Sequence, residues 1–309
     1  MKESWRSSSR ARSIRASASI LAWALAAGLA AVGGCGEGDG EPVARLAAEP
    51  MRLELPYGSY AELDLDWRVS AEPEEAAEPL RVFLHLLDAD GDLARTFDHD
   101  VPGAWSVGRE WRYTTRLYQS LLSPPLPPGA YALTGGLYDA EGRRWPVATE
   151  SERVGRDEYR LATVEVPSRG IELPEVEFTG GWSPTLAGAD RQVVAFRWLS
   201  GDGAIGLREL AESGTLWLGF RVPPEDGTLR RRITGEAAEG GDGVPRVRIA
   251  AGCSGFEAQV SGEGRHDVAV PLASADGSCE VVLEPNYVLD SPDEAGRSLL
   301  LEVLTWNPA

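Results

Sequence analysis

Lysine is all but missing from this chain: of 30 basic residues only Lys2 is a lysine, and the rest are arginine. With it go Schiff-base chemistry and the phosphate-gripping lysine of nucleotide-binding loops. Histidine is nearly as scarce, with His85, His99 and His266 the whole supply. A serine nucleophile needs a base beside it, and the serines near His99, Ser106 and Ser120, lie outside any Gly-x-Ser-x-Gly elbow. Glycoside hydrolysis needs two carboxylates about 5 to 10 Å apart. Among 48 acidic residues some pair always meets that condition, so it points to no site. The reading is of a protein that is not an enzyme and needs no cofactor. Long apolar runs are lacking too: Ile20 to Val32, interrupted by Gly28, falls short of the ~20 residues of a membrane-spanning helix.

What is abundant is acid. The formal charge is −18, and it becomes about −22 beyond residue 34, because the first 34 residues hold Lys2, Arg6, Arg10, Arg12 and Arg15 against Glu3. Such a surface repels phosphate backbones and excludes nucleic acid as a partner.

The basic start, the apolar stretch and the small residues after it read as a targeting segment. Val32-Gly33-Gly34-Cys35 resembles a bacterial lipobox. That resemblance implies a lipoprotein signal peptide over 1–34, cleavage before Cys35, and a thiol that receives diacylglycerol. Each buried methylene of a palmitate or similar chain contributes roughly 0.8 kcal/mol, and two or more chains hold a protein stably on a bilayer. Gly36 stands where an Asp would resemble an inner-membrane retention signal, so the expected location is the outer membrane, on its periplasmic or surface face. No Arg-Arg pair lies in the basic start, which argues against a twin-arginine signal. Residues 35–49 are expected as a lipidated tether, since 36–49 are rich in Gly, Glu and Asp without periodicity and would reach about 20 Å.

From Met51 the pattern turns to short strands of period two, with apolar residues alternating over Met51 to Leu55, Leu63 to Val69 and Leu80 to Leu86. Further strands are expected near Trp111 to Tyr118, Tyr131 to Tyr138 and Tyr159 to Val166. Pro127-Pro128-Gly129 before Tyr131 resembles a tyrosine corner, in which the ring is buried and the hydroxyl bonds to upstream backbone. Pro167 to Pro174 reads as a boundary between domains at 50–168 and 172–309. In the second, strands are expected over Gln192 to Leu199, Ala204 to Leu207, Thr215 to Val222, Pro245 to Ala250, Phe256 to Val260, Asp267 to Leu272, Cys279 to Leu283 and Ser298 to Trp306. Helical turns are expected at Leu207 to Glu212 and around Pro292 to Ala295, and a loop at Glu236 to Gly243. The fold class is all-β: two tandem antiparallel β-sandwiches, the first immunoglobulin- or fibronectin-III-like, the second jelly-roll-like. In an envelope compartment Cys253 and Cys279 are expected to pair, a loop closure worth roughly 3 kcal/mol; two buried thiols are the alternative.

Several stretches resemble a known group of proteins. Val82-Phe83-Leu84-His85-Leu86-Leu87-Asp88-Ala89-Asp90-Gly91, then Asp98-His99, Trp105 and the run from Leu126 to Asp139, are similar to β-sandwich domains appended to bacterial membrane glycosyltransferases and found in related envelope proteins. Gly180-Gly181-Trp182-Ser183-Pro184 and Phe196-Arg197-Trp198 resemble another module that accompanies the same enzymes. The resemblance implies an accessory, non-catalytic envelope module with a link to glycans. The chain has neither the multi-span membrane portion nor the catalytic domain of those enzymes.

Among candidate sites, Asp88-x-Asp90-Gly91 could open a calcium loop, but His99 stands where an EF-hand needs Glu, so a hairpin turn is the reading. His85 with Asp98-His99-Asp100 offers metal-ligand types, yet His85 alternates with strand neighbours and reads as a packed histidine; no metal is assigned. Sugar rings stack on exposed aromatics. Trp105 and Trp145, in loop-like stretches, and Trp182 are the ligand-binding candidates, with Trp111 and Trp217 behind them and Trp67 and Trp198 read as core. Arg230-Arg231-Arg232 reads as a solvated hairpin end. The function expected is binding or scaffolding in the envelope, with glycan or another envelope protein as partner. A structural subunit of an envelope assembly is the alternative, and a carbohydrate-active hydrolase the more distant one.

Overall fold

The computed structural model describes residues 40–74, 76–77, 79–188, 192–210, 213–225, 230–234, 243–290 and 296–309. The signal segment, Cys35, most of the Glu236 to Gly243 loop and the Pro292 to Ala295 turn lie outside them. The described residues are strands and connections, without helix, and Gly38–Ala309 forms one unit.

The first lobe is a sandwich of two sheets. One runs in the order Val147–Ala148, Ala44–Glu49, Tyr60–Val69, Glu110–Tyr118; the other runs Arg153–Gly155, Glu158–Val166, Gly129–Tyr138, Arg81–Leu87, Leu93–Thr96. Alternation decides the faces: Tyr60–Val69 buries Leu63, Leu65, Trp67 and Val69 while Glu62, Asp66 and Arg68 face out. Ala44–Glu49 pairs antiparallel with Tyr60–Val69, and after Pro50 the chain crosses so that Arg52–Glu54 runs parallel to Glu158–Val166. The start of the chain's described part thus joins both sheets. It corrects the tether expected over 35–49, because its last six residues are a strand whose Ala44 and Leu46 lie in the core. The alternation there is carried mostly by alanines, too weak to stand out behind the acidic, glycine-rich stretch before it.

Tyr131 enters Gly129–Tyr138 with its ring buried and its hydroxyl donating to the Pro127 carbonyl at 2.8 Å. This is the tyrosine corner. Gly136 in the same strand lets the Asp157 carbonyl and the Phe83 ring approach to where a Cβ would sit 2.6 and 2.7 Å from them. Two turns share one chemistry. Asp88 Oδ1 accepts from the amides of Asp90 and Asp92 at 3.0 and 2.8 Å. Asp139 Oδ1 accepts from Glu141 and Arg143 at 3.0 and 2.9 Å. Burial alone would raise the Asp139 pKa, but hydrogen bonds from Arg143, Glu141 and the Trp145 indole outweigh it and the net shift is downward.

The second lobe is a curled sheet ordered Phe256–Ser261, Arg246–Ala251, Cys279–Pro285, Ala195–Arg208, Leu299–Pro308, Gly214–Val222, Gly264–Leu272, and it approaches a closed barrel. The two strands expected over Gln192 to Leu207 are one 14-residue strand, Ala195–Arg208. It stays continuous because its ends serve different partners: residues 197–199 pair with Leu299–Leu301, and residues 203–207 pair with Cys279–Leu283. Leu207 and Arg208, expected in a helical turn, belong to this strand; Glu209 after them has φ +59°, and Ala211 and Glu212 lie outside the described residues. Four strands lie outside those expected: Glu175–Trp182 and Leu186–Ala187 on Ala195–Arg208, and Arg230–Ile233 paired with Tyr287–Asp290. Cys253 and Cys279 form the expected disulfide, 26 residues apart, with Cα atoms 5.3 Å apart.

No sheet mixes strands from the two sides of residues 167–174, yet the lobes share hydrophobic cores. Trp217 and Val303 of the second lobe are buried in the core of the first, and Leu122 of the first in that of the second. Leu299–Pro308 supplies the polar half of the junction. Trp306 N donates to Gly58 O at 2.6 Å, Leu121 N to Leu304 O at 2.7 Å, and Leu304 N to Ser120 Oγ at 3.1 Å. Asn307 reads both backbone groups of Tyr60, its Oδ1 accepting at 3.2 Å and its Nδ2 donating at 3.3 Å. Gly58, at φ +79°, presents its carbonyl where a side chain would strike Leu121 and Leu173. Trp217 packs edge-on against Tyr60 and Tyr118. Truncating it to Ala leaves a cavity spanning both lobes, and a loss of about 3 to 5 kcal/mol is expected. Urea unfolding checks this: a single transition moved to lower denaturant is expected, and an unmoved midpoint would contradict the shared core.

A cleft between the two lobes as the candidate site

Where the lobes meet they leave a cleft of about 460 Å³. The first lobe contributes Arg81, Phe97, Asp98, His99, Thr114 and Arg116, and the second Trp217, Arg221, Arg265 and Asp267 among others. Strand alternation places the arginines here. Arg221 stands between Phe220 and Val222, both buried on the opposite face of Gly214–Val222. Arg116 precedes buried Leu117.

Each guanidinium has a carboxylate. Arg116 donates through Nε and Nη2 to Glu62 Oε1 at 3.1 and 2.9 Å and lies over the rings of Tyr60 and Trp217. Arg265 holds Asp267 through Nε and Nη2. Arg81 Nε reaches Asp100 Oδ1 at 3.0 Å. Arg221 Nε reaches Glu302 Oε1 at 2.8 Å, and Glu302 is a carboxylate only 2% exposed. Its second oxygen is buried without a hydrogen-bond partner and lies 3.9 Å from Arg265 Nη1.

His99 is locked. Its Nδ1 lies 3.0 Å from the Phe97 carbonyl, which can only accept, so Nδ1 carries the proton and Nε2 accepts from the Tyr113 hydroxyl at 2.8 Å. Burial lowers its pKa, outweighing the Phe97 carbonyl and Asp98. His85 sits on the neighbouring strand between Asp98 at 3.8 Å and Glu158 at 3.9 Å, and burial lowers its pKa too. The two carboxylates face opposite ring nitrogens. Glu158 is held by the Thr134 hydroxyl at 2.5 Å and Arg144 at 2.6 Å.

The structure does not gather the tryptophan candidates into one platform. Trp105 is half-buried, donates its indole N–H to the Ala71 carbonyl at 3.0 Å and packs against Trp111. Trp145 is not in a loop: it pairs with Leu137 in a short strand, points its N–H at Asp139 and lies under Arg143. Trp182 packs edge-on to Phe178 in the second lobe. Trp67, Trp111, Trp198 and Trp217 are buried. Ser120 Oγ accepts from Leu122 N and Leu304 N, which makes it part of the junction rather than a partner of His99. Of the three consecutive arginines, Arg231 is engaged by Glu263 and the Pro223 carbonyl, and Arg230 and Arg232 face out. A broader hollow of about 750 Å³ lies beside the disulfide, where Asp276 is engaged by Ser274 and Ser278. The cleft arginines were not singled out from sequence. Their one signal is outward position on apolar strands, which surface arginines share.

Imidazoles whose pKa is lower folded than unfolded contribute stability that is complete above about pH 6.5 and is lost as pH falls through the folded value. The melting temperature is therefore expected to fall between pH 7 and pH 5, and His99→Gln to lose part of that dependence. An unaltered pH slope in the variant would exclude His99 as a contributor.

Neither family models nor curated proteins match the chain. Among solved structures, one titled "Crystal Structure of Tripeptidyl Peptidase 2 (TPP II)" aligns over 86% of this chain with 12% identity and a TM-score of 0.25. This chain spans 20% of that one, and a likeness at this level does not establish a common fold.

Proposed function

We propose that this protein is a non-catalytic, lipid-anchored binding module of the bacterial cell envelope, held at the outer membrane through acylated Cys35, with glycan as the ligand of the inter-lobe cleft. The observation that carries this reading is the make-up of the cleft: guanidinium, carboxylate and threonine groups set around Phe97, Tyr118 and Trp217. Sugar hydroxyls bond to such polar groups, and the largely buried Phe97, Tyr118 and Trp217 give them an apolar floor and not a stacking platform. The engaged nitrogens of His99 favour holding a ligand over moving a proton. The resemblance to glycosyltransferase accessory modules supports the same direction, as association rather than mechanism.

A scaffolding role is the second reading. Glu110–Tyr118 is a nine-residue strand at the edge of its sheet, and such an edge can accept a strand from another envelope protein.

For the anchor, intact mass spectrometry of protein extracted from its host's membranes is expected to give an N-terminus at Cys35 carrying acyl mass; an unprocessed chain would refute it. For the ligand, the test is calorimetric titration of envelope polysaccharides. Thr114 is exposed at the cleft, and Thr114→Trp is expected to weaken binding tenfold or more by filling the space. Trp105→Ala, Trp145→Ala and Trp182→Ala should bind as the unaltered protein does. Absence of binding to every envelope polysaccharide would sink the glycan reading.

A further inference from the structure

The four cleft arginines are not equivalent, and the difference points to a charge on the ligand. Arg116 and Arg265 each commit Nε and one Nη to a carboxylate. Arg81 and Arg221 are each tied through Nε alone, to Asp100 at 3.0 Å and to Glu302 at 2.8 Å. Among the described residues, neither has a hydrogen-bond acceptor at Nη1 or Nη2. Both side chains are open to solvent, 35% and 43% exposed, and both line the same cleft.

A guanidinium held at Nε presents its two Nη groups as a fork, the geometry that takes a planar or tetrahedral oxyanion through two parallel bonds. Because the other end is already fixed, by a buried carboxylate in the case of Arg221, less side-chain freedom is lost on capture. The acids that line the cleft are themselves engaged. Asp98 accepts from the Tyr138 hydroxyl and the Leu84 amide at 3.2 and 3.3 Å, Asp267 is paired with Arg265, and Asp100 with Arg81. The chain carries a formal charge of −18 and all four cleft arginines are matched by carboxylates, so capture of an anion rests on the two open guanidinium forks and not on net charge.

We propose that the cleft selects oligosaccharides bearing carboxylate or sulfate groups, with Arg81 and Arg221 as the two anion receptors. This rests on the reading of the cleft as a glycan site.

The test is calorimetry on the full chain in detergent with three probes: an oligogalacturonate, the same oligomer after reduction of its carboxyl groups, and a sulfated galacto-oligosaccharide. At least one acidic probe is expected to bind tenfold or more tighter than the neutral oligomer, and the tighter of the two identifies the anionic group. Arg81→Gln is expected to weaken acidic binding about tenfold and neutral binding severalfold less, so that the acidic-to-neutral affinity ratio falls. Arg221→Gln would strip Glu302 of its closest partner, so Arg221→Lys is used as well, keeping a charge beside Glu302 while removing the fork; it too should lower the acidic-to-neutral affinity ratio. Equal affinity for acidic and neutral probes, abolished by Thr114→Trp, would overturn the charge selection and leave the glycan cleft standing. Tighter acidic binding that ignores both arginine positions would overturn the assignment of receptors. If no probe binds, the cleft reading fails and the inference with it.

Discussion

The structure depends on the last strand, Leu299–Pro308, serving two bodies at once. It is hydrogen-bonded inside the second lobe between Ala195–Arg208 and Gly214–Val222, and the same strand contributes backbone and side-chain bonds to the first lobe at Gly58, Ser120, Leu121 and Tyr60. A buried amide or carbonyl without a partner costs about 1 to 3 kcal/mol, so the bonds across the junction are what allow this strand to be buried there. Apolar burial completes the contact: Trp217 fills space among first-lobe side chains between Tyr60 and Tyr118. Linked domains usually meet through smaller, more polar surfaces and move; here a common core argues for a fixed relation.

That fixed relation shapes the cleft. Glu302 lies on this same strand, buried to 2% exposure, and a carboxylate so deep is stable only beside positive charge. Arg221 and Arg265 provide it from the two strands that follow in sheet order. The charge therefore has a structural origin: burying Glu302 requires guanidinium groups, and those groups open onto the space between the lobes.

Much of the fold is legible along the chain because two-residue alternation exposes which face of a strand is buried. Tyr60–Val69 follows it closely and Glu110–Tyr118 over most of its length, and Pro127-Pro128-Gly129-x-Tyr131 specifies a corner through local chemistry. The signal failed where side chains are small, as in Ala44–Glu49, whose burial comes from pairing with a strand more than ten residues on. It failed also at Ser200-Gly201-Asp202-Gly203, where turn-forming residues, with Gly201 at φ +71°, sit inside one strand whose flanks at 195–199 and 203–208 are paired.

By itself the sequence determined the class of the fold, the corner at Pro127-Pro128-Gly129-x-Tyr131 and the scarcity of lysine and histidine, and it made a Cys253–Cys279 bridge the expectation, since each depends on residue type and near neighbours. Only the tertiary structure decided which tryptophans are engaged, that the two lobes share a core, and that Arg81 and Arg221 face one space. The two arginines are 140 positions apart and each is an ordinary strand residue in its own lobe. Their proximity is made by the docking of one lobe on the other, which no local pattern records.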